Sequence, residues 1–158
     1  SISSSGVITF DSAPDYETKT SYSITVNVSD GATTTSQTLT VNITNVNDVA
    51  PIFTSLPSTL LVAENQILVY QVKAIDVEGD TINYSSSGTD ATQFNVSSSG
   101  LISLKTARDY ENLSNNRFNI TVTISDGSLT ASRNAIVMIT DVQENQMGEG
   151  KLDESTLE

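Results

Sequence analysis

Hydrophobic and polar residues alternate in short runs along this chain, which is the pattern of β-strands with one buried face. One run covers residues 21–29 and ends at Asp30-Gly31, a pair favoured in hairpin turns. A second run follows at residues 37–44. The apolar positions of the two runs are Tyr22, Ile24, Val26, Val28, Leu39, Val41 and Ile43. The pattern therefore predicts two strands joined by a hairpin.

The same pattern returns about 95 residues later in the chain. At an offset of 94, residues 6–8 match residues 100–102, so that Gly6 aligns with Gly100. Residues 15–17 match residues 109–111 at the same offset. A two-residue insertion then raises the offset to 96, which aligns Asp30 with Asp126. A period of this length is a whole domain, so the sequence predicts tandem β domains.

The alignment also predicts the domain organisation. Ser1 aligns with about Asn95, so the first copy holds only the C-terminal half of a repeat. We call residues 1–46 the half repeat and residues 47–145 the full repeat, and we expect residues 146–158 to be an acidic tail or linker. The predicted fold is all-β, a Greek-key immunoglobulin-like sandwich with one complete repeat after half of another. Strands are expected at 7–10, 21–29, 37–44, 60–63, 68–76, 81–86, 93–96, 101–104, 117–125 and 133–141.

Composition and charge exclude several classes of function. The 158 residues include 7 Lys and Arg, 19 Asp and Glu, no His and no Cys, for a formal net charge of −12. His-based triads, thiol nucleophiles, disulfides and zinc sites with nitrogen or sulfur ligands are therefore excluded. The negative charge argues against nucleic acids and anionic membranes, and no apolar run approaches the roughly 20 residues that span a bilayer. We expect no enzymatic activity.

Acidic residues concentrate at strand ends and between the repeats. Three pairs, at residues 15 and 17, 76 and 78, and 109 and 111, have the i, i+2 spacing that puts two side chains on one face of a strand. Two carboxylates ~4 Å apart repel by about 1 kcal/mol in water and about 4 kcal/mol in a partly shielded site. A cation would relieve this repulsion, and a set of oxygen ligands in loops favours Ca²⁺ over Mg²⁺.

Five segments of the chain resemble motifs of the cadherin repeat, in the order in which that family carries them. They are residues 45–53 (NVNDVAPIF, like the DxNDNAPxF linker), 63–65 (AEN), 74–78 (AIDVE, like AxDxD), 100–111 (from Gly100 to DYE) and 125–127 (SDG). Together they extend the resemblance over residues 1–145. The Ser- and Thr-rich, cysteine-free texture resembles repeats of a bacterial surface or secreted protein.

The resemblance implies Ca²⁺ at each junction between repeats. By this carry-over the metal ligands of the first junction are Asp15, Glu17, Asn45, Asn47, Asp48, Asp76, Glu78 and Asp126. Those of the second junction are Glu64, Asp109, Glu111, Asp141 and Glu144. The first junction departs from the family pattern at Asn45 and Val49 in the linker and at Glu78 in the AIDVE segment, and the half repeat has no equivalent of Glu64. These departures predict fewer ions, or weaker binding, at the first junction.

Two functions from different classes follow from these observations. The first is a calcium-binding extracellular module of a large, membrane-associated surface protein, which serves cell adhesion or rigid spacing. Its expected partners are calcium and other repeats, a surface protein or a polysaccharide, with self-association through the open strand edges of the half repeat. The alternative is a carbohydrate-binding accessory module of a secreted protein, although the chain has 5 Tyr, 4 Phe and no Trp to build an aromatic platform.

Overall fold

The computed structural model describes residues 1–143, and apart from one 3₁₀ turn their regular secondary structure consists of β-strands. The predicted all-β sandwich is confirmed, whereas the predicted tail at 146–158 lies outside the described residues. No helix that could span a bilayer occurs in the described part of the chain. The strands are β1 (Ser21–Ser29), β2 (Thr34–Asn42), β3 (Ile52–Ser55), β4 (Thr59–Ala63), β5 (Leu68–Gln71), β6 (Lys73–Ile75), β7 (Asn83–Ser87), β8 (Phe94–Val96), β9 (Leu101–Leu104), β10 (Arg117–Ser125) and β11 (Thr130–Thr140), with one 3₁₀ turn at Ala91–Gln93.

The half repeat forms a two-stranded antiparallel sheet of β1 and β2. Tyr22 is paired with Val41, and Ile24 with Leu39, so the apolar side chains of both strands lie on one face. The predicted strand at residues 7–10 is wrong, because the structure has only an isolated bridge between Ile2 and Ile8 there. No described strand lies beside this segment to extend the ladder.

The full repeat is built from sheets that enclose a common core. A four-stranded sheet has the order β4-β11-β10-β7, in which β4 runs parallel to β11. A three-stranded antiparallel sheet has the order β5-β9-β8, and β3 pairs with β6 in a smaller sheet. The buried apolar side chains are Leu56, Leu60, Val62, Val72, Phe94, Ile102, Leu104, Ile120, Val122, Ile124, Ala135, Val137 and Ile139.

One long strand predicted at residues 68–76 is divided into β5 and β6, which belong to different sheets. The break falls at Val72, a buried residue whose backbone N–H donates to the carbonyl oxygen of Gly100 over 3.0 Å. Gly100 has φ 83°, and a Cβ there would lie 2.9 Å from both the Tyr84 ring and the Val72 carbonyl oxygen. This position therefore requires glycine.

The chain divides into two compact units. Unit 1 contains Ser1–Thr54, Ala74–Asn83 and Ile124–Ala131, and unit 2 contains Ser55–Lys73, Tyr84–Thr123 and, of the residues that the structure describes, 132–143. Each of the two acidic clusters described next lies within a single unit. The boundaries at 46 and 145 remain sequence predictions.

Candidate metal centre

Three carboxylates of unit 1 converge to form the first acidic cluster, which consists of Glu17, Asp48 and Glu78. One oxygen atom from each of them lies within 4.8 Å of the others. Glu17 lies in the turn before β1, Asp48 lies in the linker before β3, and Glu78 follows β6. Residues distant in sequence are thus brought to one place, as the motif spacing predicts.

Asp15 organises the loop that carries Glu17. Its Oδ1 accepts hydrogen bonds from the backbone N–H groups of Glu17 (2.9 Å) and Thr18 (3.3 Å), and its Oδ2 accepts from the Thr18 hydroxyl (2.7 Å). The bonds from Thr18 and Glu17 hold the pKa of Asp15 below its usual range. Asp15 is therefore a charged anchor of the loop in this structure.

Glu78 joins the linker to the cluster through one of its two oxygen atoms. Its Oε1 accepts from the backbone N–H groups of Asp48 (3.3 Å) and Val49 (3.0 Å). Its Oε2 is buried and has no hydrogen-bond donor within bonding geometry. Asp76 shows the same division, since its Oδ1 accepts from the Asp80 N–H over 3.0 Å while its buried Oδ2 has no donor.

Asn47 and Asp126 add two more such oxygen atoms. Asn47 donates through Nδ2 to Asp80 (3.0 Å), which leaves its Oδ1 buried without a donor. Asp126 uses Oδ1 to accept from the N–H groups of Ser128 (2.7 Å) and Leu129 (2.6 Å), and its Oδ2 is likewise buried without a donor. The bonds from Leu129 and Ser128 keep the pKa of Asp126 below its usual range.

Four buried oxygen atoms without donors are costly unless something positive satisfies them. They come from Asn47, Asp76, Glu78 and Asp126, and they lie in the same unit as the first acidic cluster. All of these ligand atoms are hard oxygens, and neither nitrogen nor sulfur is among them. The donor set therefore fits a hard divalent cation such as Ca²⁺.

The raised pKa of Glu17 reflects the repulsion within the cluster. A hydrogen bond from its own backbone N–H lowers the pKa of Glu17, but desolvation and the carboxylates of Asp15 and Glu78 outweigh this bond. The net effect raises the pKa of Glu17 above its usual range. A neighbouring cation would oppose this shift.

The second acidic cluster consists of Glu64, Glu111 and Asp141, all in unit 2, with one oxygen atom of each within 4.8 Å of the others. Glu64 is only 2% exposed. Its Oε2 accepts from the Tyr110 N–H (2.7 Å) and its Oε1 from the Val142 N–H (2.8 Å), so both oxygens are already hydrogen-bonded.

The second cluster repeats the loop geometry and electrostatics of the first. Asp109 accepts from the Glu111 N–H over 3.2 Å, as Asp15 accepts from Glu17, and its other oxygen accepts from the Asn112 amide over 2.5 Å. A bond from its own N–H lowers the pKa of Glu111, but desolvation and the carboxylates of Asp109, Glu64 and Asp141 raise it overall. Glu64 of the second cluster has no counterpart in the half repeat.

The structure gathers most of the residues that the sequence singled out. Those with polar contacts at one cluster or the other are Asp15, Glu17, Asn47, Asp48, Glu64, Asp76, Glu78, Asp109, Glu111, Asp126 and Asp141. Asn45 is exposed, and Glu144 lies outside the described residues. The sequence reasoning left Asp80 out of the site, although its position two residues after Glu78 and four after Asp76 was a usable signal.

Comparisons with known proteins agree with the motifs. No model of a known protein family matches the chain. A fat-like cadherin-related tumor suppressor homolog of Drosophila melanogaster is 34% identical over 80 residues, which are 49% of this chain and 2% of that protein. A cis-dimer structure of protocadherin gammaB7 EC3-6 is 28% identical, with a TM-score of 0.69 over 86% of this chain and 36% of that one.

A third relative supports the fold alone. Mouse cadherin-23 EC22-24 is 24% identical, with a TM-score of 0.67 over 83% of this chain and 45% of that chain. This chain thus spans less than half the length of each of these three relatives. The host organism stays a prediction, because none of these similarities identifies it. Motifs, fold and relatives agree that the chain is similar to the extracellular repeats of cadherins and protocadherins.

Proposed function

We propose that this chain is a non-catalytic extracellular module for adhesion or rigid spacing, and that its first acidic cluster binds Ca²⁺. Cadherin repeats are structural adhesion modules, which supports the general function. The observation that carries the calcium proposal is the set of four buried oxygen atoms without donors, one of them from Glu78, in the same unit as the three converging carboxylates of Glu17, Asp48 and Glu78. Neither a solvated acidic surface nor a hairpin turn accounts for that combination.

Each residue of the first site has a distinct task. Glu17, Asp48 and Glu78 supply the converging negative charge, and the buried oxygens of Asn47, Asp76 and Asp126 complete the set. Asp15 and Asp80 position the others, because they hold the Glu17 loop and the Asn47 amide. When bound, Ca²⁺ supplies positive charge that neutralises the carboxylates and accepts oxygen ligands from loops far apart in sequence.

The functional consequence is that ion binding stabilises the ordered arrangement of the loops that carry the ligands. Extracellular calcium modules commonly have Kd values of about 10⁻⁴–10⁻³ M. At a free Ca²⁺ concentration about ten times Kd, one such site stabilises the state that binds the ion by about 1.4 kcal/mol. The loops at residues 15–18, 45–49 and 76–80 are then held together more firmly than their few hydrogen bonds alone allow.

The second cluster is proposed as a weaker site. Both oxygens of Glu64 already accept backbone hydrogen bonds, and no buried oxygen without a donor lies among the described residues of this cluster. The neutralisation of three acids still favours binding there. We expect its affinity for Ca²⁺ to be lower than that of the first cluster.

Calorimetric Ca²⁺ titration with thermal melts in Ca²⁺ and in chelator tests the proposal. We expect heat of binding in the micromolar to millimolar range and a raised midpoint, both reduced by Asp48→Asn and by Asp76→Asn. Asp11→Asn is the matched control, because Asp11 is an exposed acid outside both clusters. Equal titrations for all four proteins would refute the site.

We further propose that the module acts at a cell surface and associates with other repeats. The solved relative protocadherin gammaB7 is described as a cis-dimer, which supports repeat-to-repeat association. Sedimentation at several protein concentrations, in Ca²⁺ and in chelator, tests whether this chain self-associates. A monomer at every concentration would contradict that part of the proposal.

A further inference from the structure

Strand β4 forms one edge of the four-stranded sheet of the full repeat, and its sequence is unusual for an edge strand. It pairs with β11 on one side, and no described strand lies on its other side. Its five residues, TLLVA, include no charged residue, no proline and no glycine. Natural proteins usually protect open edges with charges, prolines, bulges or very short strands, because an open edge can pair with another chain.

The other edge strands of the two larger sheets differ from β4. Strand β7, at the opposite edge of the same sheet, has the polar sequence NYSSS. In the three-stranded sheet, β8 has only three residues, and β5 pairs with β9 through a shift in register between Leu68 and Tyr70. The pairing of β4 with β11 has no such shift. Strand β4 is thus the one regular, apolar edge among the described strands of these two sheets.

The backbone groups of β4 alternate between the two sides of the strand. The carbonyl oxygen of Ser58 accepts a hydrogen bond from β11 over 2.9 Å, and the N–H of Glu64 donates one to β11 over 3.0 Å. Even-numbered residues of this segment therefore direct their backbone groups towards β11. The odd-numbered residues direct one N–H and one C=O each towards the open edge, and they are Thr59, Leu61 and Ala63.

The side chains on the outer face of this edge are apolar. Leu61 is 67% exposed, the highest value among the large apolar residues described in the full repeat. It lies opposite Met138 of β11, and Thr59 lies opposite Ile136. Met138 and Ile136 are half-buried on the outer face, since the residues that alternate with them in β11 belong to the core. Adjoining apolar side chains in such a position are typical of an interaction site.

We propose that β4 pairs antiparallel with β4 of a second molecule of this chain, about a twofold axis at Leu61. In this register Leu61 faces its own copy, and Thr59 faces the partner's Ala63. These are hydrogen-bonded pairs, so every N–H and C=O group at the two open edges has a partner. Leu61 and Met138 of both molecules then adjoin on the outer face of one extended sheet. This pairing rests on the repeat-to-repeat association proposed above and identifies the surface that carries it.

The residues that flank β4 exclude the neighbouring registers. Moving the axis one residue towards the N-terminus places Ala63 opposite Pro57, which has no N–H to donate. Moving it one residue towards the C-terminus places Thr59 opposite Asn65, whose φ of 60° lies outside the extended region. Only the axis at Leu61 satisfies the whole edge. The strand is therefore complementary to itself, which favours a second copy over an unrelated strand.

Charge and size also bear on the pairing. The strand itself has no charge, and Glu64, the acid that follows it, would lie opposite the partner's Ser58 and not opposite another acid. Five residues from each strand make a small interface, of the size found in transient complexes. We therefore expect a weak, reversible dimer.

Cysteine cross-linking tests the register, because the chain has no cysteine of its own. Facing residues of a hydrogen-bonded pair have Cα atoms about 5.5 Å apart, within the range of a disulfide. In Leu61→Cys the two thiols face each other, whereas in the matched control Thr59→Cys they are roughly 14 Å apart along the ladder. With oxidised glutathione in chelator, we expect Leu61→Cys to form covalent dimer at least about tenfold faster than Thr59→Cys.

Sedimentation of cysteine-free variants gives an independent measurement. Leu61→Lys places two like charges opposite each other and should abolish the concentration-dependent dimer of the unmodified chain. Leu68→Lys, at a similarly exposed residue of the other sheet, should keep it. Both substitutions change exposed side chains, and thermal melts report whether the fold is kept.

The outcomes separate this surface from the general association of repeats. A dimer that survives Leu61→Lys, or equal cross-linking of Leu61→Cys and Thr59→Cys in a chain that does dimerise, overturns the pairing of β4 and leaves the association of repeats in place. A monomer at every concentration, with equal cross-linking of the two cysteine variants, overturns both.

Discussion

The hairpins β1–β2 and β10–β11 have the same pattern and the same kind of turn, yet they lie in different environments. Ile24 and Val26 are half-buried, whereas their equivalents Ile120 and Val122 are at most 2% exposed. The strand register forms in both, because alternation and an Asp-Gly turn are local properties. The core forms only where residues 49–94 supply its other side.

This difference shows which part of the fold each repeat determines for itself. Secondary structure and the acidic loops persist in the half repeat, since each depends on residues close in sequence. Burial of the apolar face depends on strands remote in sequence, such as β4 opposite β11. We therefore expect the two repeats to respond very differently to the same substitution.

The largest contrast is expected from truncation of a core isoleucine. Ile120→Ala removes a buried side chain of the full repeat and should lower its free energy of unfolding by about 2–5 kcal/mol. Ile24→Ala at the equivalent half-buried position should cost less than about 1 kcal/mol. Guanidinium unfolding in chelator measures both, and equal losses would mean that the half-repeat face is covered in solution.

Glu64 offers the next contrast, between the two acidic clusters. Glu64→Ala leaves the N–H groups of Tyr110 and Val142 without acceptors in a buried place and should cost about 1–3 kcal/mol without metal. Glu111→Ala is the matched control, because Glu111 is exposed and its removal relieves repulsion. In denaturant unfolding with chelator, the free energy of unfolding of Glu64→Ala should be well below that of Glu111→Ala. The reverse order would contradict the structural role of Glu64.

Much of this organisation could be predicted from the sequence, and the failures have physical causes. Alternation and turn residues predict β1, β9 and β10 to the residue. The break at Val72 was missed because both halves are extended and only tertiary pairing separates them. Residues 7–10 were predicted as a strand because their pattern copies residues 101–104, although they lack the partner that β5 gives to β9. The spacing of Asp80 from Asp76 and Glu78 was a usable signal, but its contact with the distant Asn47 is visible only in the structure.

The turns at Asp30 and Asp126 allow a finer test of the calcium proposal. Both aspartates accept two backbone hydrogen bonds within the turn. Both oxygens of Asp30 also accept from the Thr33 hydroxyl, whereas Oδ2 of Asp126 is buried without a donor. Asp126→Ala should therefore abolish most of the rise in melting midpoint that Ca²⁺ produces, while Asp30→Ala should keep it. Loss of the rise in both variants would attribute it to turn stability instead.

The smallest expected effect is the pH dependence of the metal-free protein. The pKa values of Glu17 and Glu111 are raised above the usual 4.5, so the folded state binds these protons more readily than the unfolded state. Their unfavourable contribution is present above the raised pKa values and is relieved as pH falls towards 4.5. Asp30 and Asp126 have pKa values below the usual 3.8, so their stabilising contribution is present above 3.8 and is lost as pH falls through the lowered values.

Stability in chelator should therefore rise slightly as pH falls from neutral towards 4.5, and then fall as pH drops further below 3.8. Thermal melts across this pH range measure both the rise and the fall in stability. The double variant Glu17→Gln, Glu111→Gln should lose the rise and keep the fall, because only the raised pair has been removed. In the presence of Ca²⁺ the rise in stability towards pH 4.5 should become a fall, because protonation of Glu17 competes with the ion and weakens its binding. A rise that survives in the double variant would show that other carboxylates carry the repulsion.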